Sequence, residues 1–213
     1  MNTPELVAML ATGVQPADPN VLAKRFGLAL IMGLLGATAL LLAIYGVRSD
    51  MPQMLVTPLF WLKAAFPLAV LLAALLIASR LARPGMDSQL GWLMLALPLL
   101  AVWSAAAGFL LATPPALRLG LVLGSTWRIC TLNIVILSAP TFYAVFWAMR
   151  GLAPTRLRLA GAGAGLLAGA QAVLVYTLYC IEMAPPFWGV WYALGMLIPM
   201  LAGALLGPRW LRW

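Results

Sequence analysis

The chain has 213 residues, of which 64% are hydrophobic and 8% charged, and it contains no histidine. Soluble domains carry roughly a quarter charged residues, so this composition excludes an ordinary soluble fold, and the missing histidine excludes Ser-His or Asp-His catalysis. The net charge of +8 lies almost wholly in short connections between apolar runs, which is a membrane-orientation pattern and not a nucleic-acid footprint.

In chain order, residues 1–25 read as an extramembrane tail. They carry an acidic residue early and no basic run, which is not the pattern of a cleavable signal segment. "TPELVAMLATG" predicts a short helix with Thr3 as N-cap, Pro4 at the first helical position, Glu5 facing the positive helix end and Gly13 as the stop. Leu6, Val7 and Leu10 form one apolar stripe on it. So short a helix is marginal alone in water, which suits either a segment that folds against a partner or one that lies on the bilayer surface.

Six apolar runs follow, each near the ~20 residues that cross a hydrocarbon core. They cover 26–46, 61–79, 91–111, 129–149, 159–180 and 187–207, with Pro67 and Pro98 inside the second and third. The fold class is therefore an all-α membrane protein of six transmembrane helices with short loops, divided into a tail (1–25) and a membrane domain (26–213). Lys24, Arg25, Arg80, Arg83, Arg150, Arg156, Arg158, Arg209 and Arg212 fall on one side, nine of the thirteen basic residues. Arg48, Arg118, Arg128 and Lys63 fall on the other. That bias puts both termini in the cytoplasm.

Inside the runs, polar residues are few. Lys63 lies near the start of the second, where an intramembrane amine is a functional candidate but snorkelling to the interface explains it equally well. Asn133 and Gln171 are expected to hydrogen-bond between helices. Gly161, Gly165 and Gly169 recur every fourth residue on one helix face, which suits close packing inside the bundle or a homo-oligomer through that face. No acidic residue sits in the middle of a run and no inverted repeat is evident, which weighs against an ion-coupled transporter.

The two cysteines complete the pattern. With the orientation above, Cys130 and Cys180 lie at the outer ends of the fourth and fifth runs, at similar depth on adjacent antiparallel helices. Three roles stay open: small hydrophobic fillers, a disulfide staple, or a sensor pair whose exposed thiols oxidise or capture a soft metal. Met183 and Glu182 flank Cys180, but two thiols without histidine do not close a tetrahedral zinc site, so metal at Cys130 and Cys180 is transient at most.

These features resemble the six-span bacterial anti-sigma factors of the negative-regulator-of-sigma-F (NrsF) type. The resemblance rests on "TPELVAMLATG", on "TWRIC", on "APTRLRLAGAGAGLLAG" running into "LYCIEMAPPFWGVWYALG", and on the ending "GALLGPRWLRW". It implies a multi-pass protein of the bacterial inner membrane that sequesters an extracytoplasmic-function sigma factor and releases it on heavy-metal or oxidative stress. Cys130 and Cys180 would be the periplasmic-side sensor thiols, and the tail stripe of Leu6, Val7 and Leu10 would take part in holding the sigma factor. The protein is then a non-enzymatic regulator without a cofactor, bound to lipid and a sigma factor but not directly to nucleic acid. One departure is Tyr179, where the family often has a histidine; it puts metal sensing in more doubt than redox sensing. The alternatives are a small transporter or channel, with a path lined by Lys63, Asn133 or Gln171, and a thiol-disulfide oxidoreductase.

Overall fold

The computed structural model describes residues 2–12, 18–46 and 48–212. Among these there is no strand; six helical stretches are long and apolar enough to cross a membrane. The elements are α1 (Thr3–Ala11), α2 (Val21–Tyr45), α3 (Met51–Val56), α4 (Pro58–Leu81), α5 (Gln89–Ala112), α6 (Pro115–Leu123), α7 (Trp127–Arg150), α8 (Leu157–Tyr176), α9 (Pro185–Phe187) and α10 (Ala193–Trp210). A π-helical turn, Trp188–Tyr192, joins α9 to α10. Leu35, Leu93, Leu97, Leu111 and Leu205 all point outward, a surface suited to lipid.

Helix α8 is the central mast. Every residue from Ala160 to Val173 is buried, and α10, α4 and α7 surround it, with α2 touching it more lightly. Small residues on nearly every face make this possible. Between helices in lipid there is little hydrophobic driving force, so association depends on close van der Waals contact, which glycine and alanine permit. Added Cβ atoms at Gly161 and Gly165 would run into the backbone carbonyls of Gly203 and Pro199, and one at Gly169 would lie 2.9 Å from the Met196 Cα. The glycine face is thus filled by α10 of the same chain, the first of the two alternatives the sequence left open, and is not available there to a second copy.

The same device recurs around the mast. Gly33 and Gly36 of α2 lie against Thr141 and Pro140 of α7, and Gly91 of α5 lies against Ile77 of α4. Helix α5 is the outlier: 11% of its apolar window is buried, against 89% for α8. It is tied at one point by Trp103, whose indole N–H donates to the Gly189 carbonyl at 3.0 Å.

Several sequence expectations shift. Helix α2 begins at Val21 and not near Phe26, so Lys24 and Arg25 ride on its first turns, with Lys24 paired to Asp18 at 2.6 Å. Helix α8 ends at Tyr176, and Cys180 lies beyond it, after a tight turn closed by bonds from the Leu178 and Tyr179 amides to Val175 and Tyr176. In α1 the N-cap is Asn2, not Thr3; the Glu5 carboxylate accepts from the Asn2 amide at 3.1 Å. Gly13, expected as the helix stop, lies outside the described residues.

Replacing Gly165 with Val should lower the detergent-phase unfolding midpoint sharply, since overpacking costs about 1–3 kcal/mol or more where a backbone blocks relaxation. Gly108→Ala, at a position with nothing within 4 Å of an added Cβ, should leave the midpoint unchanged; equal loss in both variants would refute the packing argument.

Candidate functional site: a buried thiol, lysine and tyrosine cluster

The bundle has two unlike ends. At one, the start of α2 and the ends of α7 and α10 meet: Arg25 donates to the Ala148 carbonyl at 3.4 Å and Arg150 to the Trp210 carbonyl at 2.7 Å. The other end holds both cysteines together with the buried polar residues Lys63, Asn133 and Thr177.

Cys130 stands on the first turn of α7 and Cys180 on the segment leaving α8; both are buried free thiols. The expected exposed pair is therefore corrected: each thiol is enclosed by neighbouring side chains. They lie within electrostatic range of each other, with the Cys130 thiol beside the Tyr176 hydroxyl and the Cys180 thiol beside that of Tyr192. Asn133, one turn further along α7, donates to the Tyr176 hydroxyl at 3.4 Å. Tyr176 also sits near Tyr179 and Tyr192, with ring centroids 6.2 Å and 6.3 Å away. The π turn that carries Tyr192 is a wide, uncommon geometry that re-aims a side chain within an otherwise α-helical run.

Lys63 completes the cluster. It is 0% exposed, and its amine donates to the Cys180 carbonyl at 2.6 Å while lying 5.9 Å from the centroid of the Tyr192 ring. Snorkelling is thus corrected: α4 starts at Pro58, which places Lys63 about one and a half turns inside the helix and on its inner face. A lysine in lipid reaches for any strong acceptor, and here that acceptor is a backbone carbonyl left unpaired past the end of α8.

A second basic residue acts one carbonyl earlier. The Arg48 guanidinium donates to the Tyr179 carbonyl at 3.2 Å and grips the Asp50 carboxylate with two nitrogens. That grip holds the Asp50 carboxyl below the usual carboxylate range. Arg48, Asp50, Thr126, Ile129, Tyr176, Tyr179 and Cys180 line a cavity of about 430 Å³ at the surface of this end. Beyond Cys180, the Glu182 carboxylate accepts from both the amide and the hydroxyl of Ser125, each at 2.6 Å. Gly124, in the left-handed region at φ 57°, lies against that carboxylate, where a side chain would collide. The indoles of Trp188 and Trp191 donate to the carbonyls of Glu182 and Val122 at 3.0 Å and 2.8 Å. The segment carrying Cys180 is thus tied to the turn just ahead of Cys130.

The remaining sequence candidates lie elsewhere. Gln171, in mid-bundle, donates to the Leu30 carbonyl at 2.7 Å and serves helix packing. Lys63, Asn133 and Gln171 do not line one shared path among the cavities found in the described residues. No group of three or more His, Cys, Asp or Glu side chains able to hold a metal occurs among the described residues, so the thiols lack a third protein ligand of those types. Leu6, Val7 and Leu10 are exposed on α1, which has no buried residue. Tyr176 and Tyr192 went unnoticed in the sequence, and Arg48 was counted there only toward the charge bias. Tyr176 and Tyr179 flank the turn before Cys180, but only the fold brings Arg48 and Tyr192 to it.

Fold and site together define a class: a helical bundle with six helices long and apolar enough to cross a membrane, a buried thiol cluster at one end, and a short N-terminal helix with no buried residue. A family model described as "Negative regulator of sigma F" matches residues 10–213, and the chain belongs to that NrsF family. It is 46% identical to the probable anti-sigma-F factor NrsF of Azospira oryzae over 213 residues, covering 100% of both chains. It is 38% identical to the anti-sigma-F factor NrsF of Caulobacter vibrioides over 222 residues, again with 100% of both covered. No solved structure matches.

Glu182→Ala should free the segment between Cys180 and α9. Amide hydrogen exchange over residues 124–130 and 180–184 should rise about tenfold or more, the usual consequence of losing charge-assisted hydrogen bonds. Unchanged exchange would mean that the indole bonds alone hold the segment.

Proposed function

We propose that this protein is an anti-sigma factor that holds an extracytoplasmic-function sigma factor inactive at the bacterial inner membrane, and releases it when the cysteine end is perturbed by oxidants or soft metals. The observation that carries the reading is the pairing of family membership with two thiols brought into one polar cluster. Both termini face the cytoplasm in this reading, in line with the nine basic residues on that side. The cluster then faces the periplasm, an oxidising compartment.

The chemistry available to the cluster is disulfide formation or capture of a soft cation by two thiolates. Either changes the volume and charge of a site in which four elements, the α8 exit, α7, α4 and the π turn, meet. Tightly packed interiors respond to such changes by repacking, which is how a local event reaches distant surfaces. At the far end, α1 supplies an apolar stripe that is marginal by itself, and we assign it to the sigma factor as a helix that docks in a groove of the partner. A transporter reading is less well supported, because Lys63 and Gln171 donate to backbone carbonyls and Asn133 to the Tyr176 hydroxyl instead of lining a path.

Two measurements test this. Replacing Cys130 and Cys180 together by Ser should leave co-purification of the sigma factor intact and abolish its release by chromate, cadmium or peroxide; normal release in the double variant would end the sensor assignment. Leu10→Asp should weaken sigma-factor binding by at least tenfold, as expected for an apolar anchor lost from a docked helix. Unaltered pull-down would move the docking surface to the loops.

A further inference from the structure

We infer that Lys63 and Arg48 are positioning residues for the thiol pair: they form a carbonyl clamp that keeps Cys180 shut away from the cavity beside it. The biological meaning of the clamp rests on the sensor reading above, whereas its geometry does not.

Three observations carry it. First, Arg48 and Lys63 come from different elements, the α2–α3 connection and α4, yet they donate to the consecutive carbonyls of Tyr179 and Cys180. Those carbonyls follow the end of α8, where no helical amide remains to satisfy them. Second, the Lys63 amine is fully buried, and neither ion pair among the described residues involves it. A structural lysine in a lipid-facing helix would turn its amine toward the interface; this one is spent on a single backbone oxygen. Third, the cavity of about 430 Å³ has Cys180 and Arg48 among its lining residues, so a path toward the thiol exists and the clamp stands at its inner wall.

The clamp pins the peptide on each side of Cys180, Tyr179–Cys180 through Arg48 and Cys180–Ile181 through Lys63, and so holds the Cys180 side chain beside Tyr192, where the residue is 1% exposed although it borders the cavity. Releasing either donor frees a carbonyl, lets the peptide rotate and turns the thiol toward the cavity. Cys130, anchored on the first turn of α7, is not held this way. Its exposure does not depend on the clamp. The device therefore sets which thiol reacts first, and Cys180 is the one that meets a small reagent from outside.

The test is the rate of thiol labelling by a charged, water-soluble maleimide on the full chain in detergent, read by intact mass. Cys180 is followed in a Cys130→Ser background and Cys130 in a Cys180→Ser background. Lys63→Met should raise the Cys180 rate about tenfold, the effect of one buried hydrogen bond on a local opening equilibrium. The Cys130 rate should move far less. Lys63→Arg, which keeps a donor, should restore slow labelling, and Arg48→Gln should accelerate Cys180 independently. Native rates in both Lys63→Met and Arg48→Gln would overturn the clamp, as would equal acceleration of both cysteines or a failure of Lys63→Arg to restore protection. Should Lys63→Met not stay monodisperse, Arg48→Gln decides the matter alone. Failure here leaves sigma-factor release in the double-serine variant untouched, and failure of that release experiment leaves these labelling rates unaffected.

Discussion

Close backbone approach between α8 and α10 is the constraint on which the bundle depends. In lipid, one apolar side chain gains little by exchanging hydrocarbon for another helix, so contact must come from short-range dispersion, which falls away over fractions of an ångström. Gly161, Gly165, Gly203 and Gly207 remove the side chains that would hold the two helices apart. With α10 that near, α8 becomes the element every other spanning helix can reach, and only α5 remains at the margin.

A mast so poor in side chains makes few polar demands along its length, and the demands appear where it stops. The carbonyls past Tyr176 have left the helix, and water does not reach all of them. Lys63 and Arg48 supply donors there, while Ser125 and Trp188 tie the segment down at Glu182. The polar cluster and the glycine mast are thus two consequences of one arrangement. Both cysteines fall inside it because α7 starts and α8 stops at the same level.

The opposite end is built differently. Arginines of α2 and α7 donate to carbonyls where helices finish; α1, earlier in the chain, has Leu6, Val7 and Leu10 exposed and no buried residue. An apolar stripe on a short helix has low intrinsic stability, and this suits a surface that orders against a partner. Family membership supplies the regulatory context for this bundle.

The number of long apolar helices, the small-residue face of α8 and the shared end of both cysteines were legible in the primary structure, because each is carried by local pattern: run length, four-residue spacing and position relative to a run's edge. Gly161, Gly165 and Gly169 announced close packing, but not that α10 would be the partner; that choice depends on how the chain returns after the Pro185–Pro186 break. Lys63 read as an interfacial residue because its depth was measured from Trp61, whereas the helix starts at Pro58 and turns the amine inward. The burial of the thiols was likewise invisible, since Cys180 is enclosed by Tyr192, Lys63 and Arg48, which are distant from it along the chain. Periodicity reports which residues share a helix face. Only tertiary structure decides what that face meets, because in lipid the same apolar surface is equally content against hydrocarbon or against another helix, and the choice falls to shape and to the few buried carbonyls that need a donor.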